Sequence, residues 1–247
     1  MRLIEQFEIQ GNKLFRWRSY LPLLFVVIIV SSLPHFSYPF DSHRFDQIWE
    51  IFCLIISFFG LFLRIITIGY TPKKTSGRNT KKGQVAEYLN TTGMYSIVRN
   101  PLYLGNFIIG LGFSIFLRLW WVSFIYTVLF IIYYERIIFA EEQFLTKKFK
   151  QQYIDWASKT PAFFPKFRQW QTPKLPFFFK KVLRKEYHGF FGIILVIFAL
   201  EVASDIYLHN SFKFDLLWQC IVGFSVTVYA ILRFLHKKTS FLKTPGR

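Results

Sequence analysis

The apolar residues of this chain are gathered into long runs, and that blocking constrains the fold more than any other feature. A soluble core would scatter them at helical or strand period. Here they fill six stretches, approximately 20–34, 48–70, 101–117, 119–139, 189–209 and 214–235. Each approaches the roughly 20 residues that a helix needs to cross a bilayer, the first and third being shortest. With 53% hydrophobic residues and 32 Phe in 247, the chain is also too apolar for a soluble domain of its length. The expectation is an all-α, polytopic membrane protein: about six transmembrane helices with interfacial helices on the cytoplasmic side, forming one integral domain over 1–247.

The net charge of +17 raises the possibility of nucleic acid, but its distribution excludes that reading. Residues 1–19, 71–100, 135–188 and 233–247 hold 27 Lys and Arg, whereas the alternate linkers hold only Arg44, Arg118 and Lys213. Arg64 alone lies inside a span. Basic loops stay in the cytoplasm, so both termini and the two long loops of this multi-pass protein are assigned there. The basic surface faces anionic lipid headgroups. Cys53 and Cys220 sit in apolar runs without metal or disulfide spacing and read as packing residues. The first 19 residues carry Glu5 and Glu8 and do not read as a cleavable signal.

Two cytoplasmic loops hold nearly all the polar chemistry. They are separated by a tight hairpin, 101–117 out and 119–139 back, each arm roughly 25–30 Å long. Arg99–Tyr103 and Arg136–Glu142 therefore meet at one membrane face. Beyond Glu142 the segment EEQFLTKKFKQQYIDWASK keeps Leu145, Phe149, Tyr153 and Trp156 at helical spacing, which predicts an interfacial amphipathic helix ended by Pro161 and Pro165. LPFFFKKVL, 175–183, is expected to dip into the same interface.

Each polar feature also has a bland explanation. In VRNP, Pro101 suits a first helical turn, Asn100 its cap, and Arg99 a snorkelling side chain. Gly105, Gly110 and Gly112 suit close helix packing. Glu141 and Glu142, just beyond a span, are harder to dismiss, because carboxylates there usually have partners. Glu201 and Asp205 share a face of the fifth span and are expected to be structural or solvated, and Arg64 to snorkel toward the rim with Tyr70. The five histidines show no ligand spacing, so no metal site is assigned.

GMYSIVRNPLYLG resembles the R-H-P-x-Y-x-G signature of the isoprenylcysteine carboxyl methyltransferase and phospholipid methyltransferase superfamily. AEEQFLTKKFKQQYIDWASKTPAFFP is similar to its companion block, and together they cover about residues 80–165. The methyltransferase-like core then falls at about 71–188, flanked by spans within 20–70 and 189–235. The resemblance implies S-adenosyl-L-methionine as cofactor and a membrane lipid or lipidated acceptor. It implies cofactor contacts at Glu87, Tyr88, Leu89, Asn90, Tyr95, Arg99, Asn100, Pro101, Leu102, Tyr103 and Glu141. It assigns Arg136 to the acceptor, one residue out of the family's register, and Asn100 stands where the family usually has His.

Methyl transfer is an in-line displacement from a sulfonium, for which positioning supplies much of the catalysis. An anionic acceptor needs an arginine clamp, whereas an amine needs a base, for which Glu142 is the candidate. The basic loops favour an anionic headgroup. The SGRNT–LNTTG loop resembles that of bacterial relatives that methylate lipid phosphate, which implies a bacterial inner membrane and a lipid phosphate such as that of lipid A as the leading choice. The alternatives are an NADPH-dependent reductase like the membrane sterol reductases, or a transporter or scaffold without catalysis.

Overall fold

The computed structural model describes residues 2–17, 21–37, 43–72, 75, 78–80, 83–210 and 215–242. Among these, nine α-helices appear in the order α1 (Leu3–Trp17), α2 (Leu21–Ser32), α3 (His43–Tyr70), α4 (Met94–Ile97), α5 (Pro101–Ile115), α6 (Trp120–Phe149), α7 (Gln151–Lys159), α8 (Phe179–His209) and α9 (Leu216–Lys238). A small antiparallel pair, β1 (Arg78–Thr80) with β2 (Gly83–Val85), interrupts the first long loop. The protein is otherwise all-α. Four helical stretches are long and apolar enough to cross a membrane: Phe45–Tyr70, Trp120–Phe149, Phe179–His209 and Leu216–Lys238. Two shorter apolar helices, Phe25–His35 and Pro101–Ile115, complete the six expected positions.

The long helix α3 is the organising element, packed against α5 on one side and α8 on the other. Its crossing with α5 is close because glycines face each other. A Cβ on Gly105 would stand 2.6 Å from Arg64 Cγ and 2.8 Å from Gly60 O, so any larger residue forces the helices apart. From there α6 packs on α5, α1 on α6, and α9 on α8. Buried Cys53, Phe116, Ile197 and Trp218 belong to the core around α3 and α8, while Phe15, Tyr126, Phe130 and Tyr134 join α1 to α6.

Several boundaries depart from the sequence expectation. α6 does not stop at the membrane edge but runs unbroken to Phe149, which fixes Glu141 and Glu142 rigidly on the helix of the second hairpin arm. The expected amphipathic helix is divided at Lys150, whose φ of 48° turns the chain left-handed before α7. No Gly or Asn marks that stop, so the usual signal is missing. LPFFFKKVL is also divided. Its first residues are not helical, and from Phe179 it forms the first turns of α8. There Lys181 is buried and donates to the Thr71 carbonyl, tying α8 to the end of α3.

The amphipathic helix α1 was not anticipated. Its Phe15 is buried, Tyr133 donates to Leu14 O at 2.8 Å, and Leu3, Ile4, Ile9 and Trp17 remain exposed. Cys53 is buried as expected, but Cys220 is exposed on α9. Glu201 and Asp205 are buried, 3% and 6% exposed, which settles their environment as structural and not solvated.

Candidate functional site

The two polar loops meet through backbone pairing. Arg99 N–H donates to Pro161 O and Lys166 N–H to Ile97 O, each at 2.9 Å, and Gly93 N–H donates to Gln171 O at 2.9 Å. Side chains add to this seam. Asn100 Nδ2 donates to Ala162 O at 3.0 Å, and Trp156 Nε1 to Tyr95 O at 3.1 Å. Such cross-linking satisfies loop groups that would otherwise be buried without partners. It holds the N-terminus of α5 against the segment that follows α7. The bland reading of VRNP is only half right. Pro101 does open α5, but the Asn100 side chain makes no capping bond and spans to the other loop instead.

Under this seam lies a cavity of about 610 Å³. Its polar end is walled by Tyr95, Arg99, Asn100, Tyr103, Glu141 and Arg64. The remainder is apolar, between Phe25, Val26 and Ile29 of α2, Ile109 and Phe113 of α5, and Val122, Tyr126 and Phe130 of α6. Along α6 the rise from Val122 to Glu141 is roughly 28 Å, so the cavity follows nearly one bilayer thickness. A smaller recess of about 30 Å³ shares Tyr95, Arg99, Asn100 and Glu141 with it and is closed by Leu89, Asn90, Glu142, Tyr153 and Trp156. The shared residues form the junction of the two spaces.

The charges at the junction are specifically arranged. Tyr103 donates its hydroxyl to Glu141 Oε2 at 2.8 Å. Arg99 faces Glu142 Oε1 at 3.1 Å and donates from Nη1 to Ala157 O at 2.9 Å. Its Nε is buried without a hydrogen-bond partner among the described residues, a donor left over for an anion. Burial, then the Glu141 charge, pushes the Tyr95 phenol above its ordinary range, so it remains a neutral donor near neutral pH. Burial and the Glu142 charge do the same to Tyr153.

At the boundary between polar and apolar regions stands Arg64. It does not snorkel with Tyr70 as its position suggests. Its Nε and Nη2 bind Glu186 of α8 at 2.9 and 2.7 Å, and Nη1 donates to Asn106 Oδ1 at 2.6 Å. Glu186 is fifteen residues before Glu201 on the same helix and 4% exposed, buried as the guanidinium's counterion. Sequence reading noted Arg64 as the lone basic residue inside a span. Nothing local signals a partner 122 residues away.

Of the residues expected at a site, Tyr95, Arg99, Asn100, Pro101, Leu102, Tyr103 and Glu141 line the large cavity. Leu89, Asn90 and Glu142 line the recess. Glu87 and Tyr88 are exposed and line neither. Arg136 also stands apart. Its guanidinium turns to α1, with Nε donating to Gln10 Oε1 at 3.2 Å and the group 4.9 Å above the Phe7 ring.

Together these features define a class: a polytopic helical membrane protein whose loop motifs cap a long, mainly apolar cavity. Residues 49–152 match the family described as phospholipid methyltransferase, which both motifs also resemble. Two curated relatives are also similar. The chain is 34% identical over 84 residues to the nickel-cobalt-cadmium resistance protein NccN of Alcaligenes xylosoxydans xylosoxydans, covering 34% of this chain and 39% of that protein. It is 30% identical over 129 residues to the cobalt-zinc-cadmium resistance protein CzcN of Cupriavidus metallidurans, covering 51% of this chain and 56% of that protein. The chain thus spans about half, or less, of the length of these relatives. No solved structure matches it significantly.

Proposed function

We propose that the protein is an S-adenosyl-L-methionine-dependent methyltransferase acting on an anionic headgroup of a membrane lipid, with a lipid phosphate such as that of lipid A as the favoured acceptor. The observation that carries this reading is the joined pair of spaces. Two arginines and a carboxylate stand at the polar end, and an apolar passage of nearly bilayer length leads away from it.

The donor set at the junction fits the cofactor. Arg99, with its spare Nε–H, suits the cofactor's carboxylate, Glu141 its amino group or sugar hydroxyls, and Leu89, Asn90 and Trp156 its remaining surface. The bound cofactor supplies an electrophilic methyl group on a sulfonium.

The chain's own residues do the rest. Arg64, held in register by Glu186 and Asn106, keeps guanidinium N–H groups toward the cavity, where they clamp an anionic oxygen and orient it. Arg64 takes the role that the resemblance implied for Arg136. The apolar wall from α2, α5 and α6 excludes water and seats the lipid chains. A phosphate or carboxylate acceptor is already nucleophilic, so no base is required. Glu142, engaged by Arg99 and Tyr153, serves to fix Arg99.

The excess of Lys and Arg in the loops that carry the site supports a cytoplasmic location for it. Two relatives are named for metal resistance, and methylating an anionic headgroup removes a charge that would attract cations. That gives the reaction a consequence consistent with those names.

Cofactor binding by the full chain in lipid nanodiscs tests the proposal. S-adenosylhomocysteine is expected to bind in the micromolar range and to lose that binding in Glu141→Gln. Binding of NADPH in its place would instead support a reductase. Binding of neither by folded protein would support a scaffold or transporter.

A further inference from the structure

A second polar cluster lies at the opposite end of the bundle, away from the methyltransferase motifs. Asp46 and Glu50 are one helical turn apart on α3 and project from one face. Glu201 meets them from α8. Along α3, Glu50 is roughly 20 Å from Arg64, so the cluster stands near the other membrane face. All three side chains are buried, at 1%, 1% and 3% exposure.

Among the described residues, partners do not engage every oxygen of Glu50 and Glu201. Arg118, in the turn between α5 and α6, pairs with Asp46 and also donates to Ser37 O at 2.8 Å. Trp218 Nε1 donates to Glu50 Oε2 at 3.0 Å. Glu50 Oε1 and Glu201 Oε2 are buried with no hydrogen-bond partner among the described residues. Arg118 adopts φ 60°, a left-handed conformation unusual for a non-glycine residue, in the turn from which its side chain reaches the cluster. One carboxylate oxygen from each of Asp46, Glu50 and Glu201 lies within 4.8 Å of those of the other two. Two oxygens on one cation at about 2.1–2.6 Å are separated by no more than about 5 Å, so this spacing is compatible with a shared ion. Arg118 offsets part of the carboxylate charge, to which buried Asp205 on α8 also adds, and buried carboxylates crowded together are costly without a cation.

We propose that Asp46, Glu50 and Glu201 bind one divalent cation of the hard class that prefers oxygen ligands, such as Mg²⁺, Mn²⁺ or Ca²⁺. The ion joins the start of α3 to the end of α8, and Trp218 of α9 steadies Glu50 from the side. It is a structural clasp at the face opposite the cofactor junction and does not depend on methyl transfer.

Mn²⁺ is the probe. Full-length protein in nanodiscs, stripped with chelator, is titrated with Mn²⁺, and the free-ion electron paramagnetic resonance signal is followed. One saturable Mn²⁺ per chain is expected, competed by Mg²⁺ or Ca²⁺, and weakened at least about tenfold in Glu201→Gln, where one ligand charge is lost. Mn²⁺ should also raise the Tm of the wild-type protein, which needs no variant to fold. Absence of saturable uptake, with a Tm indifferent to chelator, would overturn the proposal in favour of a proton shared between Glu50 and Glu201. Equal one-to-one uptake by wild type and a folded Glu201→Gln would overturn it by placing the ion elsewhere. S-adenosylhomocysteine binding, measured on the same samples, reports separately on the methyltransferase reading.

Discussion

Glu186→Gln is the most informative single change at the cavity. The carboxylate takes two hydrogen bonds from Arg64, at 2.9 and 2.7 Å, in a bidentate pair whose side chains are 23% and 5% exposed. Glutamine removes the charge and presents an amide donor toward the guanidinium. Breaking a buried pair by removing one partner costs about 3–5 kcal/mol, and the partial exposure of Arg64 to the cavity reduces this to about 2–4 kcal/mol. For a chain of this size that corresponds to a Tm lower by roughly 5–15 °C. The double variant Arg64→Met/Glu186→Leu replaces both partners with apolar groups, and its stability should return to within about 1 kcal/mol of wild type. Its methyl transfer should stay lost, because the acceptor clamp is gone. Thermal unfolding in nanodiscs, with lipid methylation assayed on the same samples, separates the two effects. A Glu186→Gln Tm within about a degree of wild type would refute the buried-pair argument, as would a double variant no more stable than the single. A double variant that still methylates lipid would refute the role of Arg64.

Changes at four other positions follow from the same geometry. Gly105→Ala places a Cβ 2.6 Å from Arg64 Cγ and 2.8 Å from Gly60 O, and should destabilise the protein by about 1–3 kcal/mol in the same unfolding assay. Arg99→Gln should raise the apparent Kd for S-adenosylhomocysteine about tenfold or more, the worth of one charge-assisted contact, whereas Arg136→Gln, which faces α1, should leave it within about threefold. Asn100→His retains a donor for Ala162 O, so kcat should stay within about fivefold without a new ionisation near pH 6.5, while Asn100→Leu should lose both cofactor affinity and stability. A large gain of activity in Asn100→His would show that the protein is a weakened member of its superfamily.

What could be read from sequence was what depends on long, uniform patterns. Runs of apolar residues located the six helical positions, and hairpin geometry alone brought Arg99 and Asn100 to the face of Glu141, where they now share a cavity wall. What escaped was set by single residues and distant partners. The Lys150 turn carries none of the residues that ordinarily stop a helix, so α6 and α7 read as one. Arg64 and Glu186 each look like an edge charge until the packing of α3 on α8 pairs them. Glu50 and Glu201 are separated by most of the chain, and neither has a neighbour in sequence that announces the other. The amphipathic α1 was hidden because its apolar face is interrupted by charges such as Glu8, which pairs with Lys147 across the interface. Glu87 and Tyr88 show the converse, since a motif can name a residue that the fold leaves outside the cavity.

The central claim is tested most directly by incubating the purified chain with methyl-labelled S-adenosylmethionine and an extract of its own membrane lipids. Mass spectrometry then reads the lipids while S-adenosylhomocysteine is counted. The account predicts an anionic lipid class heavier by one labelled methyl in place of a proton, formed in step with S-adenosylhomocysteine, and absent with Glu141→Gln or Arg64→Met. Folded protein that neither binds S-adenosylhomocysteine nor labels any lipid would contradict it.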